Sequence, residues 1–295
     1  MEKLKNVEVN DVEFNIDINL ERYTTIKLGN IGSIAICKSE KGLIDLIEFL
    51  LKEKIKYHLV GWGANQVLLN SEKTLFIKLD FPFDRDIFNS NKTEFNLPAS
   101  VPLNLLTSIA KKKGFSGWEI FTGIPASLGG AICMNAGTAL GEIGQLIKSI
   151  RILKTDGSVY SYHCKKKSFR YRNNNFLEKG EVILSAIMFH NGIDEKICEK
   201  ITNYLDYRNK TQPLKTKNCG SVFKNLDTHR AGIIIDSIGL KGFGTENIAV
   251  STLHANFIEN TGEGTAREFQ ELIDALGKEI ERHTGLKFEL EVKVY

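Results

Sequence analysis

Apolar positions along the chain follow two periods, and the switches between them outline the elements. From Ser39 a spacing of three and four runs through Leu43, Ile44, Ile47 and Leu50, which predicts a helix with Ser39 as its N-cap. Tyr57-His58-Leu59-Val60 and Leu75-Phe76-Ile77-Lys78-Leu79 are short apolar runs of strand length. Residues 101–113 read as a second helix, with Leu105, Leu106 and Ile109 on one side and Gly114 as its cap. Ile150-Arg151-Ile152-Leu153 and Val159-Tyr160-Ser161-Tyr162 flank Asp156-Gly157, a hairpin signal, and residues 182–189 add a strand. A helix over 194–207 places Ile197, Ile201 and Leu205 at spacing four, and the polar stretch 208–218 with Pro213 marks a boundary. The last third holds Ile233-Ile234-Ile235, a strand-like His254-Ala255-Asn256-Phe257-Ile258, and a long helix over 265–283 with Phe269, Leu272, Ile273, Leu276 and Ile280 inward. Residues 288–294 alternate strictly, so a strand there would put Glu289, Glu291 and Lys293 on the face opposite the apolar one.

Two stretches break this rhythm. Gly61-Trp62-Gly63-Ala64-Asn65 follows a strand, and its missing side chains let main-chain N–H groups point at one place, as a phosphate requires. Residues 123–137 combine four glycines and Pro125 with small side chains, too few bulky groups for an ordinary core element, and imply close approach of backbone. A Rossmann fingerprint does not account for the first stretch, because its sixth position is Gln66 rather than glycine.

Composition narrows the chemistry. At 295 residues, with 42% hydrophobic and 25% charged, the chain is long enough for two or three packed units. A formal net charge of +3, spread along the chain apart from Lys165-Lys166-Lys167, leaves no footprint for nucleic acid. The start, Met1-Glu2-Lys3-Leu4-Lys5-Asn6, lacks an apolar leader, and no stretch approaches the roughly 20 apolar residues that span a bilayer, so the cytoplasm and no membrane are expected. Cys37, Cys133, Cys164, Cys198 and Cys219 form no C-x-x-C pair and six histidines show no ligand spacing, so no metal is expected and the thiols are read as reduced. Cys219, two residues before Ser221, has no histidine motif to activate it and reads as a buried thiol, and His254 as a packed ring.

Further short motifs join these in a fixed order: Thr24-Thr25-Ile26-Lys27-Leu28-Gly29, then Phe169-Arg170-Tyr171-Arg172, Gln212-Pro213, Gly220-Ser221-Val222-Phe223-Lys224-Asn225, Gly239-Leu240-Lys241-Gly242, His254-Ala255-Asn256-Phe257 and Leu290-Glu291-Val292. Singly each is weak; together and in order, over nearly the whole chain, they resemble the UDP-N-acetylenolpyruvoylglucosamine reductase family (MurB), in its shorter form without a tyrosine-bearing loop. Asn30, Ala64, Leu226 and the turn Leu97-Pro98-Ala99-Ser100 depart from the family pattern.

The resemblance implies an α+β fold: an FAD-binding domain of the PCMH or vanillyl-alcohol-oxidase type in two α/β subdomains, 1–80 and 81–192, and a substrate domain, 193–295, whose last strand returns to the site. It implies FAD, NADPH as hydride donor, a UDP-amino-sugar enolpyruvyl ether as substrate, and a monomer. The flavin would be held by Thr25, Gly61, Trp62, Gly63, Ala64, Asn65, Gln66, Gly123, Ile124, Pro125, Ala126, Ser127, Gly129, Gly130 and Asn135. Tyr171, Arg208, Lys210, Gln212, Lys224 and Asn225 would hold the substrate, and Arg172, Ser221 and Glu291 would carry the chemistry. A flavin oxidase of the same fold, or a non-catalytic flavin or nucleotide-sugar binder, are the alternatives. Taken alone, Arg172 would be a solvated arginine, Ser221 a turn residue and Glu291 an exposed strand charge.

Overall fold

The computed structural model of the chain describes Leu4 and residues 7–69 and 74–295. The N-terminal hexapeptide, read above for an apolar leader, lies outside these apart from Leu4. The chain forms two compact units, Met1–Ile16 with Ser33–Gly61 and Lys73–Leu205, and Asp17–Gly32 with Trp62–Glu72 and Asp206–Tyr295.

In the first unit, α1 (Glu40–Lys52) begins where Ser39 accepts the Gly42 N–H, as its sequence predicts. It covers a sheet in the order Val12–Asn19, Ile31–Cys37, Thr74–Leu79, Lys56–Leu59, the last three parallel. Leu43, Leu46, Ile47 and Leu50 are buried there with Leu75 and Ile77. A second, antiparallel sheet runs Val159–His163, Ile147–Leu153, Val182–Phe189, Glu94–Pro98. Its first hairpin turns through Gly157, at φ +82°.

Two helices bury their apolar sides in the core of that second sheet, α2 (Leu103–Lys113) and α3 (Leu128–Cys133). α2 starts at Leu103 rather than Val101, because Pro102 is extended, at ψ 136°, and occupies the N-cap. Gly114 caps it in the left-handed region, as expected. α3 lies inside the glycine-rich stretch and buries Leu128, Ala131 and Ile132, so that stretch contributes to the core as well as allowing close approach. α4 (Ile197–Thr211) starts three residues later than the periodicity suggests and runs four further, taking in Arg208 and Lys210. The later start has a local cause: the Asp194 carboxylate accepts the Lys196 N–H and forms a turn instead.

In the second unit, α5 (Ala231–Ser237) contains Ile233, Ile234 and Ile235. α6 (Ala266–Thr284) opens on a capping box between Thr265 and Glu268 and closes at Gly285. Its apolar face packs on the antiparallel sheet Lys217–Ser221, Phe257–Asn260, Ile248–Val250. His254-Ala255-Asn256 is a turn, not strand, because the Phe257 N–H returns to the His254 carbonyl.

The alternating tail is a strand only at Lys293–Val294, parallel to Gln66–Val67. Leu290 makes a single bridge to Phe223, and the N–H groups of Glu291 and Val292 both reach the Val222 carbonyl. The chain bends there, which leaves Glu291 half-buried while Glu289 and Lys293 are exposed.

Candidate active site

The turn after the Lys56–Leu59 strand is built to offer backbone donors. Gly63 sits at φ +64°, and a Cβ on it would lie 1.9 Å from the Tyr23 carbonyl oxygen. Only glycine satisfies both conditions. Thr25 supports the turn: its N–H donates to the Gly63 carbonyl at 3.2 Å and its hydroxyl to the Asn218 carbonyl at 2.7 Å. Gly61, Trp62, Gly63, Ala64 and Asn65 donate none of their five successive backbone N–H groups to an acceptor among the described residues, although Gly63 is buried. An unmet donor in a buried residue is costly, and successive N–H groups without an internal acceptor are a ready site for anionic oxygens. Because the donors belong to the main chain, Ala64 removes none of them. Asn65 turns its side chain elsewhere, donating to the Glu291 carbonyl at 2.9 Å.

Within the first unit the second glycine-rich stretch meets Gly61: a Cβ there would lie 2.9 Å from the Ser127 hydroxyl oxygen. Ser127 caps α3 through the Gly130 N–H at 3.3 Å. Gly129 donates to the Ala99 carbonyl at 2.8 Å, and its missing Cβ would be 2.8 Å from that of Ala99. The departure at Ala99 is therefore accommodated by glycine on the facing chain. Gly123 is left-handed, at φ +72°, ahead of Ile124, Pro125 and Ala126. Asn30, a second departure, gains a bond of 2.7 Å to the Leu69 carbonyl.

Arg172 turns a two-stranded hairpin of Phe169–Arg170 with Asn173–Asn174. Its own φ is +52°, a strained region for a long side chain. The guanidinium lies 5.1 Å from the exposed Tyr171 ring, and Nη2 is 3.5 Å from the Gly137 carbonyl. Asn135, expected with the flavin residues, is 1% exposed and directs its amide to Glu142, to the Arg170 carbonyl and to the Gly144 N–H.

In the second unit, Ser221 ends the Lys217–Ser221 strand just past an irregularity in pairing, after Gly220 at φ +75°. Its hydroxyl makes no hydrogen bond to the described residues. Cys219 is buried, and burial pushes its thiol up to about 12, which suits packing rather than nucleophilic attack. Lys224 pairs with Glu289 at 2.9 Å, and that bond holds the exposed Glu289 carboxyl below its ordinary value. Arg208 donates through Nε and Nη2 to the Gln212 side-chain oxygen at 2.9 and 2.7 Å, beside exposed Lys210. Asn225 accepts the Ala231 N–H at the start of α5. His254 packs on Phe257, and burial holds its pKa below the ordinary value.

Comparison with known proteins settles the family. Residues 32–162 match an FAD binding domain, and residues 212–295 match the C-terminal domain of UDP-N-acetylenolpyruvoylglucosamine reductase. The reductase of Moorella thermoacetica is 32% identical over 94% of this chain and 91% of its own length. The chain belongs to the UDP-N-acetylenolpyruvoylglucosamine reductase family. A Streptococcus pneumoniae member is 30% identical over 99% of this chain and 96% of its own. The crystal structure of the Thermus caldophilus member superposes with a TM-score of 0.79, at 28% identity, over 96% of this chain and 98% of that one. The fold is thus the FAD-binding PCMH type, mixed in helix and strand, as expected. Among the described residues no helix is long and apolar enough to cross a membrane, and no group of three or more His, Cys, Asp or Glu could hold a metal ion.

Sequence reasoning missed Glu142. An acidic residue five positions after Gly137 carries no motif of its own, and its part emerges only through its partner Asn135.

Proposed function

We propose that the chain reduces the enolpyruvyl ether of a UDP-amino sugar to the corresponding lactyl ether, with FAD as cofactor and NADPH as electron source, in the cytoplasmic synthesis of peptidoglycan precursors. The observation that carries the reading is the run of five backbone donors at Gly61, Trp62, Gly63, Ala64 and Asn65, without an acceptor among the described residues, in a family member whose sequence has Arg172, Ser221 and Glu291. Bound FAD would supply the hydride, drawn from the nicotinamide, for the methylene carbon of the enolpyruvyl group.

The residues of the chain do the rest. Arg172 presents a planar fork to the substrate carboxylate, so charge pushed toward that group meets a fixed cation. Glu291, in its protonated form, donates a hydrogen bond to the same developing charge. Ser221 gives its proton to the carbon next to the ether oxygen, which balances the hydride added to the methylene, and a neighbouring donor restores the hydroxyl. Tyr171, Arg208, Lys210, Gln212, Lys224 and Asn225 hold the sugar and diphosphate, the cations by charge-assisted bonds. Backbone at Gly61, Trp62, Gly63, Ala64 and Gln66, and in the stretch Gly123, Ile124, Pro125, Ala126, Ser127, Gly129 and Gly130, holds the flavin nucleotide, with Thr25 and Asn65 fixing the turn. We take the enzyme to act as a monomer.

An anaerobic experiment tests this. NADPH should bleach the flavin absorbance of the purified protein, and the UDP-enolpyruvyl sugar should then restore it, with a product two mass units heavier than the substrate. Purified protein without flavin absorbance that takes up no added FAD would favour a binding module instead. Restoration by oxygen alone would favour an oxidase.

A further inference from the structure

The last residue of α3 and the short segment after it hold both legs of the hairpin on which Arg172 is carried. On one leg, Asn174 donates its side-chain amide to the Cys133 carbonyl at 2.9 Å. On the other, Asn135 donates to the Arg170 carbonyl at 3.0 Å. The remaining Asn135 donor goes to Glu142 Oε2 at 2.7 Å, and its oxygen accepts the Gly144 N–H at 3.1 Å. Both N–H groups of a buried amide are therefore committed, one of them to a carboxylate, which makes that bond short and strong. Asn135 itself lies at φ +42°, a region that asparagine tolerates better than most residues.

Glycines shape the partners of this clamp. A Cβ on Gly137 would lie 2.7 Å from the Gly141 carbonyl and 2.8 Å from Glu142 Cγ, so the chain folds back tightly enough to return Glu142 to Asn135. A Cβ on Gly144 would lie 2.5 Å from the Phe169 ring, which lets the first hairpin residue seat directly on this loop. Without such supports, a turn that keeps an arginine at φ +52° would relax toward ordinary backbone angles.

We propose that Glu142, acting through Asn135, is a positioning residue for Arg172: it orients the Asn135 amide so that the Arg170 carbonyl is gripped and the left-handed turn is held. The inference rests on the assignment of Arg172 to the substrate carboxylate. A guanidinium fork recognises a carboxylate by direction as well as charge, so a displaced turn weakens recognition although the arginine is still present.

The test uses the FAD-loaded protein and measures binding, not turnover. Calorimetry gives the affinity of the oxidised protein for the UDP-enolpyruvyl sugar, and hydrogen exchange reports the amides of residues 169–174. Glu142→Ala is expected to weaken binding about tenfold and to speed exchange in that hairpin while the Val182–Phe189 strand stays protected. Glu142→Gln keeps an acceptor for Asn135 and should bind within about twofold of the parent, a rescue that mere loss of charge would not allow. Added to Arg172→Lys, Glu142→Ala should cause little further loss, because both act through one contact. If Glu142→Ala does not fold, Glu142→Asp, which withdraws the oxygen by one methylene, takes its place with the same expected pattern. Full additivity with Arg172→Lys, or parental affinity in the Glu142 variant, overturns the inference while leaving the Arg172 assignment standing. Parental affinity in Arg172→Lys itself would remove that assignment, and the inference with it.

Discussion

The side-chain amide of Asn65 donates to the backbone carbonyl of Glu291 at 2.9 Å, and the Asn65 carbonyl accepts the Lys293 N–H at the same distance. The donor turn and the C-terminal tail are thus fastened to each other by one residue. Asn65→Ala should lower stability by about 1–2 kcal/mol, since it strands a half-buried carbonyl. Asn65→Asp should cost more, because it sets a carboxylate against that oxygen. Urea unfolding checks both, and a midpoint unmoved in either variant would show that the fastening contributes nothing.

Gly63→Ala should be more severe than its single methyl suggests. The substitution meets both the left-handed backbone and the Tyr23 carbonyl 1.9 Å from the new carbon, so the turn must move. A loss of order 3 kcal/mol or more is expected, together with loss of flavin from the purified protein. Thermal unfolding and the flavin-to-protein absorbance ratio are the measurements.

Ser221→Ala should separate the two halves of the reaction. Bleaching by NADPH should stay within about twofold of the parent, whereas restoration by the sugar should slow by roughly 10²–10⁴, the range for removing a general acid. Arg172→Lys should impair the same half, because an ammonium does not reproduce a fork. Rapid-mixing absorbance resolves the halves, and equal losses in both would remove the proton-donor role.

The buried thiols set an alkaline limit. Burial pushes Cys37 and Cys219 from the ordinary 9.0 up to about 12. A raised pKa in the folded state stabilises it fully below pH 9, and that contribution is lost as pH rises toward about 12. Stability should therefore fall across that window, and Cys219→Ala should flatten the fall. At pH 8, iodoacetamide should modify exposed Cys198 while Cys37 and Cys219 stay unmodified until the protein unfolds. Urea midpoints against pH, and peptide mass spectrometry, check the two statements.

Local chemistry made much of the fold readable. Ser39 and Thr265 sit at helix starts because their hydroxyls cap free N–H groups, and Asp156-Gly157 marks a hairpin because glycine accepts a positive φ. Other features depend on partners far along the chain. The tail alternates like a strand, yet Val222 takes two successive N–H groups and bends it at Glu291. Ile233-Ile234-Ile235 suits strand or helix equally until the Arg230 carbonyl accepts the N–H groups of Ile233 and Ile234 and starts the turn of α5. For the site, the glycines and Arg172 were legible as motifs, whereas the Asn135 amide could be assigned to Glu142 and Arg170 only once the fold brought residues 7 and 35 positions apart together.

Three separate stretches of chain build the C-terminal unit, and its core takes Ile26 and Leu28 from the first and Val67 from the second. A gene fragment encoding only 206–295 would therefore lack part of its own interior and should express as an insoluble or molten species. Segmental isotope labelling of this unit calls for splicing at several joints, and truncation libraries should yield no autonomous folding fragment from that end of the sequence.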